Sequence, residues 1–413
     1  MQRRLEHRMI RVVHVGTTDE GGAYGAMVRI SGCLEHEGIG SSVLLRNKRD
    51  EKSVGRGVCT GYRRLASMTR NYLNLKLSFE RIQTDYLGES IVNEKEIKEA
   101  DIIFLHWTNS FLSYRSVREL ARLGKPVVCV MHDMWFMTGG CHIDNYCSGY
   151  EKGCTDCPYA GNRYRKYLAR DSFLKKKEAL VYAEPVIVTP SKWLAGLADS
   201  SGITAPYRKY VINNPVDTET FRPYPDSIKK SVREKYKIPA EDKLIMFSAF
   251  NATHNMNKGF GYLKEALEKI EEDNFSLLIC GDKEEGNIKS IGRVKVRYAG
   301  FVKDRTLLAG IYSAADAVVA PSKQENYSGV VLEALSCGTP VAAFDIGGMP
   351  EIIEHMETGY LAGRGDVPAL LEGILYCAAN KGKMSEKARK TRVEKNTAEV
   401  IGRKYKELID SLL

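Results

Sequence analysis

Residues 317–345, AVVAPSKQENYSGVVLEALSCGTPVAAFD, read as strand, loop, helix and strand in turn. AVVA is apolar throughout, Val330, Val331, Ala334 and Leu335 recur at helical spacing, and PVAAF is apolar again. A strand that is apolar at consecutive positions is buried on both faces, which belongs to a parallel sheet covered by helices on either side.

The same grammar extends in both directions. KLIMFSAF, SLLICGD and VRYAG precede that stretch, and MIRVVHVG, SSVLLRN, DIIFLHW, PVVCVMHD and PVIVTPS punctuate the first half. The Asn- and Pro-rich piece NNPVDTETFRPYP separates the two series. A chain of 413 residues exceeds what one core usually supports. The reading is therefore an α/β protein of two Rossmann-like domains, residues 1–213 and 214–395, with the charged helical pattern of 396–413 packing back on the first. Ligands of open parallel sheets bind beyond the carboxyl ends of the strands, and a cleft between the domains is expected there.

Composition narrows the function classes. Apolar residues make up 43% of the chain, and none of its apolar runs reaches the eighteen residues of a membrane span. The opening MQRRLEHR passes directly into a strand pattern without the apolar core of a signal peptide, so a cytoplasmic protein is expected. The net charge of +9 lies wholly in residues 1–215, which hold 32 basic against 23 acidic side chains. Such asymmetry suits an anionic partner, or a scatter of solvated lysines and arginines. GYRRLASMTRNYLNLKLSFERI and YAGNRYRKYLARDSFLKKKEAL interleave aromatic and basic residues, as would a peripheral contact with an anionic membrane or a solvated helix.

Of ten cysteines, Cys33, Cys129, Cys280 and Cys337 sit in or beside apolar runs and read as buried thiols. Cys141, Cys147, Cys154 and Cys157 form a C-x5-C-x6-C-x2-C array, with His142 as a fifth candidate ligand. Its terminal C-x-x-C suits a structural zinc; reduced structural thiols or a local disulfide are the alternatives.

The loop before the helix of the opening stretch carries the chemistry. Unpaired amides at residues 328–330 and the positive end of the helix dipole favour a phosphate or pyrophosphate, and Gly329 allows close approach. Glu325 precedes that anion site and Glu333 follows it by about a turn. Two carboxylates bracketing a diphosphate would accept hydroxyl hydrogen bonds on each side, the order in which a nucleoside diphosphate sugar presents sugar, pyrophosphate and ribose. Either Glu alone is equally well a solvated acid on a helix.

The E-x7-E spacing within PSKQENYSGVVLEALSCGTPVAAFDIGGMPEII resembles the signature of the retaining glycosyltransferases of family 4, which have the GT-B fold. Gly21-Gly22, VMHD, VTPSKW, NNPVDTETFRP and AGFVKDRTLLAGIYSAADAVVAPS match the family in order and spacing. The resemblance implies a catalytic set of His132, Lys258 and Glu325. It implies that Glu325 contacts donor-sugar hydroxyls, that the backbone of Asn326, Tyr327, Ser328, Gly329 and Val330 holds the sugar and diphosphate, and that Glu333 binds the ribose. Lys258 matches the lysine that neutralises the diphosphate, Gly22 belongs to the N-terminal glycine loop, and Gly281 and the segment Tyr298 to Val302 flank the base. FSAFNATHNMNKG lacks the arginine that the family often places before that lysine; Ser248, Asn251 and Thr253 are the polar residues available in its place.

The implied reaction moves a hexosyl group from a UDP- or GDP-sugar to a hydroxyl of a glycan or lipid-linked glycan by front-face displacement, with no cofactor. The HDMW…TGGC block further resembles members of bacterial surface-polysaccharide synthesis, of the colanic-acid type. A nicotinamide oxidoreductase is disfavoured because GTTDEGGAYG is not G-x-G-x-x-G. A basic nucleic-acid or membrane-binding protein leaves the E-x7-E region unexplained. A GT-B epimerase or phosphorylase shares the fold without that signature.

Overall fold

The computed structural model describes residues 9–79, 82–143, 146–282 and 288–413; the charged opening, residues 1–8, lies outside them. Two units divide the chain, Met1–Pro215 with Ala398–Leu413, and Val216–Thr397.

In the first unit, seven strands are β1 (Arg11–Thr18), β2 (Gly40–Asn47), β3 (Arg56–Gly57), β4 (Ile102–Leu105), β5 (Val127–Val130), β6 (Val186–Thr189) and β7 (Lys209–Val211), in spatial order 3-2-1-4-5-6-7. Every pairing is parallel. β4, β5 and β6 are buried at each position, because helices cover both faces of the sheet. Side chains alternate between those faces. Val13, Val15, Ile103, Leu105 and Cys129 join one apolar cluster, while Val12, Ile102, Phe104, Val128 and Val130 join the other. The second cluster is completed by Ile30, Cys33 and Leu34 of the helix Gly21–His36 and by Ile401, Tyr405, Leu408 and Ile409 of the helix Ala398–Asp410.

In the second unit, β8 (Lys243–Ser248), β9 (Phe275–Cys280), β10 (Ser290–Ile291), β11 (Val294–Gly300), β12 (Ala317–Ala320), β13 (Val341–Phe344) and β14 (Gly359–Ala362) lie in the order 10-11-9-8-12-13-14. Among the described residues of this sheet, only the β10/β11 hairpin is antiparallel. The stretch at 317–345 forms β12, the helix Gly329–Ser336 and β13, with β12 and β13 adjacent and parallel. β3, β7, β10 and β14 have no counterpart in the sequence reading. The first three are two or three residues long at or next to a sheet edge, too short for an apolar pattern to register.

Candidate functional site

In the second unit the loops after β8, β9, β11 and β12 all leave the carboxyl ends of their strands. After β8 the chain turns at Asn251, which has φ 50°, and donates its amide to the Gly281 carbonyl at 2.9 Å. Gly281 (φ +90°) follows β9, and a Cβ there would stand 2.0 Å from the Ala249 carbonyl oxygen, so only glycine lets the two loops meet. Gly259 (φ +75°) is held as tightly: a Cβ would fall 1.8 Å from the Pro321 carbonyl oxygen. Next to it, Lys323 donates its amide to the Asn257 carbonyl at 2.8 Å. These contacts draw the short turn Met256–Lys258 against the loop that carries Glu325.

Lys258 Nζ then reaches Glu325 Oε2 at 2.7 Å, and Ser322 Oγ lies 3.4 Å from the same oxygen. The sequence assigned the two charges separate partners; the fold makes them partners of each other. Ser328 caps the helix Gly329–Ser336 in extended conformation without a side-chain hydrogen bond to the first turn. A Cβ on Gly329 would meet nothing within 4 Å, so the end of the dipole opens outward. Val330 is half-buried behind it and packs on the domain core. Asn326 is half-buried in the loop, whereas the Tyr327 ring is buried and its hydroxyl accepts from Asn396 Nδ2 at 3.4 Å, leaving only its backbone for a ligand.

Glu333 lies in the helix proper, where Tyr312 donates its hydroxyl to Oε2 at 3.4 Å. Tyr312 is fully buried and also bonded to the Ser248 side chain; burial, then the Glu333 charge, pushes its phenol well above the ordinary range. It thus ties the end of β8 to the second acid, a role the sequence reading missed because Tyr312 sits in an apolar helical run. Thr253 follows the same turn. Its hydroxyl and amide both donate to Asp282, as the Ser248 hydroxyl is engaged by Tyr312, so two of the three residues expected in place of the arginine have partners within the fold. Phe250 and Phe301, 69% and 62% exposed, meet edge to face at 6.4 Å beside Gly281 and the half-buried Val302.

In the first unit Gly21 (φ +87°) and Gly22 open the helix Gly21–His36, and a Cβ on either meets nothing within 4 Å. His132 and Asp133 follow β5. Asp133 accepts from His142 Nδ1 at 2.6 Å, from Trp107 Nε1 at 3.1 Å and from the Trp135 amide at 2.8 Å. Burial opposes its charge, but His142 and these donors outweigh that and hold the carboxyl below the usual range. His132 Nε2 lies 2.9 Å from His106 Nδ1, and His106 Nε2 lies 2.9 Å from His14 Nδ1.

The zinc expectation is not upheld. Cys141 and Cys157 lie in an apolar cluster with Phe79, Ile82 and Leu168, while Cys154 Sγ and Cys147 Sγ accept the amides of Gly139 and Gly149 at 3.3 Å each. Among the described residues no three His, Cys, Asp or Glu side chains are placed to hold a metal, and His142 is engaged by Asp133. All ten cysteines are free thiols, and burial pushes Cys141 up to about 12 and Cys154 to about 11.

Residues 242–380 match the family model of the group 1 glycosyl transferases. This segment is a group 1 glycosyl transferase domain. The glycosyltransferase domain lies within the second unit and contains Ser248, Lys258, Gly281, Glu325 and Glu333. An uncharacterized glycosyltransferase of Methanocaldococcus jannaschii is 38% identical over 138 residues, 32% of this chain and 34% of that protein. The Escherichia coli protein named as a colanic acid biosynthesis glycosyl transferase, WcaC, is 26% identical over 236 residues, 55% of this chain and 54% of its own. The chain thus spans about a third to a half of the length of these relatives. Across 98% of the chain and 100% of the other, the structure of Anabaena HepE in complex with UDP-glucose superposes with a TM-score of 0.66 at 16% identity. The fold is GT-B, with two Rossmann-like domains.

Proposed function

We propose that this glycosyltransferase moves a hexosyl group, with retention, from a UDP- or GDP-sugar to a hydroxyl of a glycan or lipid-linked glycan in bacterial polysaccharide synthesis. The observation that carries the proposal is the outward-facing N-terminus of the helix Gly329–Ser336 with Glu325 before it and Glu333 within it. The UDP-glucose held by the HepE structure supports a sugar nucleotide as donor.

Diphosphate binding at that helix end would exchange partners within the Lys258–Glu325 pair. The ammonium turns to the phosphates, and the carboxylate is released to accept hydrogen bonds from sugar hydroxyls. Glu333, oriented by Tyr312, accepts from the ribose, and the exposed Phe250–Phe301 pair offers the base an aromatic edge. In the front-face reaction the anomeric carbon–diphosphate bond breaks as the bond to the acceptor oxygen forms, and the acceptor's proton passes to the departing diphosphate oxygen. Helix amides and Lys258 stabilise the charge that develops on that leaving group. His132 of the first unit is proposed as the remaining catalytic residue.

A lipid-linked acceptor has support in the helix Gly61–Leu77. Its buried residues are Ser67 and Asn74, whereas Tyr62, Leu65, Met68, Tyr72, Leu73 and Leu75 are exposed. A helix that turns polar residues inward and apolar ones outward, with Arg64 and Lys76 among them, suits the surface of an anionic membrane. Among the described residues no helix is long and apolar enough to cross one.

Screening UDP- and GDP-sugars by thermal shift, then by transfer, tests the donor. Glu325→Ala and Lys258→Ala should each remove most transfer while leaving the fold intact; wild-type rates in either purified variant would end the assignment. Flotation with liposomes, with and without anionic lipid, tests the membrane contact, which equal binding to both would refute.

A further inference from the structure

Three histidines form a continuous hydrogen-bonded chain in the first unit, and the catalytic reading uses only its last member. His14 follows Val12 on one face of β1, His106 follows Phe104 on the same face at the end of β4, and His132 follows Val130 at the end of β5. Register pairs His14 with Phe104 and Phe104 with Val128, so each step of the chain crosses to the neighbouring strand and advances about two residues toward the carboxyl ends. The rings of His106 and His132 are nearly parallel, 17° apart, and the His14 ring meets Phe104 edge to face. His14 and His106 are 0% and 1% exposed.

A neutral imidazole has one donor and one acceptor nitrogen, so a chain of three must run in one direction. Its direction is set at the blind end. His14 Nε2 is buried and has no hydrogen-bond partner among the described residues. Were it N–H, an orphaned donor would be buried, which folded proteins avoid more strictly than an under-used acceptor. His14 therefore donates from Nδ1 to His106 Nε2, and His106 donates from Nδ1 to His132 Nε2. With no partner beyond His14 among the described residues, the chain orients rather than conducts protons.

We propose that His14 and His106 are positioning residues that fix His132 as the neutral Nδ1–H tautomer, with its Nε2 pinned as an acceptor. The consequence for transfer rests on the catalytic role proposed for His132; the tautomer does not. Burial lowers His14 to about 3 and His132 to about 4. The charged groups acting on His132 are Asp133, which favours protonation, and Arg29, which opposes it; the titratable groups facing His106 are the neutral His14 and His132 rings.

The test is long-range proton–nitrogen correlation on the full chain labelled with nitrogen-15 histidine, followed from about pH 8 to about pH 5. Three rings should show the Nδ1–H pattern and stay unprotonated throughout. The Nε2–H pattern, mixed tautomers, or a ring of the three titrating near the ordinary histidine value would overturn the proposal. In a donor assay His106→Phe should lower kcat about 10- to 100-fold with donor KM within about twofold, as for other groups that orient a reacting side chain. His106→Asn, whose amide nitrogen stands where Nδ1 stood, should recover most of it; a folded His106→Phe with wild-type kcat would refute the positioning role. Should His106→Phe not fold, the wild-type spectrum still decides. Failure of every sugar nucleotide as donor, with the three-ring pattern present, would remove the proposed function and leave this inference standing.

Discussion

Gly259→Ala should uncouple the two loops that carry Lys258 and Glu325. Gly259 has φ +75°, where a side chain costs about 1 to 2 kcal/mol, and the added Cβ would lie 1.8 Å from the Pro321 carbonyl oxygen against a practical limit of 3.0 Å. Relieving that overlap separates the 256–258 turn from the 321–325 loop and breaks the 2.8 Å bond from the Lys323 amide to the Asn257 carbonyl, worth about 1 kcal/mol. The sum, about 2 to 3 kcal/mol, corresponds to a fall in melting temperature of about 4 to 12 °C for a unit of this size. The same separation takes Lys258 away from Glu325, now 2.7 Å apart. Misplacement by about 1 Å costs about 100-fold in a positioned site, so kcat/KM for the donor should fall by that order. Differential scanning calorimetry and initial-rate kinetics on the purified variant provide both numbers. A melting point within about 1 °C of wild type together with kcat/KM within about twofold would refute the reasoning.

Gly329→Ala should show the opposite signature: with nothing within 4 Å of the new methyl and a helical position that favours alanine, stability holds or rises by up to about 1 kcal/mol, while donor KM increases because the methyl stands on the approach to the amides. Tyr312→Phe should cost about 1 kcal/mol by urea unfolding and raise donor KM several-fold, since Glu333 loses its orienting hydroxyl; unchanged KM would detach Tyr312 from the site. Lys176 is buried, donates to the Trp135 and Thr138 carbonyls, and is lowered to about 7 by burial. Unfolding restores its ordinary pKa, so between about pH 7 and 10 the unfolded chain binds the extra proton and stability from this group rises with pH, by at most about 1.4 kcal/mol per unit. Asp85, raised to about 7 by burial, acts oppositely below neutrality, its contribution falling as pH rises from about 4. Lys176→Met should flatten the alkaline limb of urea midpoint against pH, and an unchanged limb would contradict the assignment.

The central strands were legible because burial on both faces writes uninterrupted apolar runs, as in DIIFL and PVVCV. The separation of Glu325 and Glu333 was legible because loop and helix are contiguous, so eight residues of spacing fix it. Tyr312 and the histidine chain were not, for a common reason. Tyr312 meets Glu333 across two helices, and His14, His106 and His132 meet only because β1, β4 and β5 are neighbours, an order that strand patterns do not encode. The cysteine array left zinc, free thiols and a disulfide open in the sequence; in the fold, turns at Gly139 and Gly149 supply amides to two thiols and the other two lie in an apolar cluster.

The helix Ala398–Asp410 supplies Ile401, Tyr405, Leu408 and Ile409 to a core whose other members come from the first 212 residues. Synthesis from the amino end therefore inverts the expected order of completion. The first unit's sheet is synthesised well before the helix that covers one of its faces, so Ile30, Cys33 and Leu34 lack these partners until the helix Ala398–Asp410 emerges. A chain clipped before Ala398 should therefore leave that apolar face exposed, and be lost to aggregation or proteolysis rather than persist as a folded second unit beside a folded first.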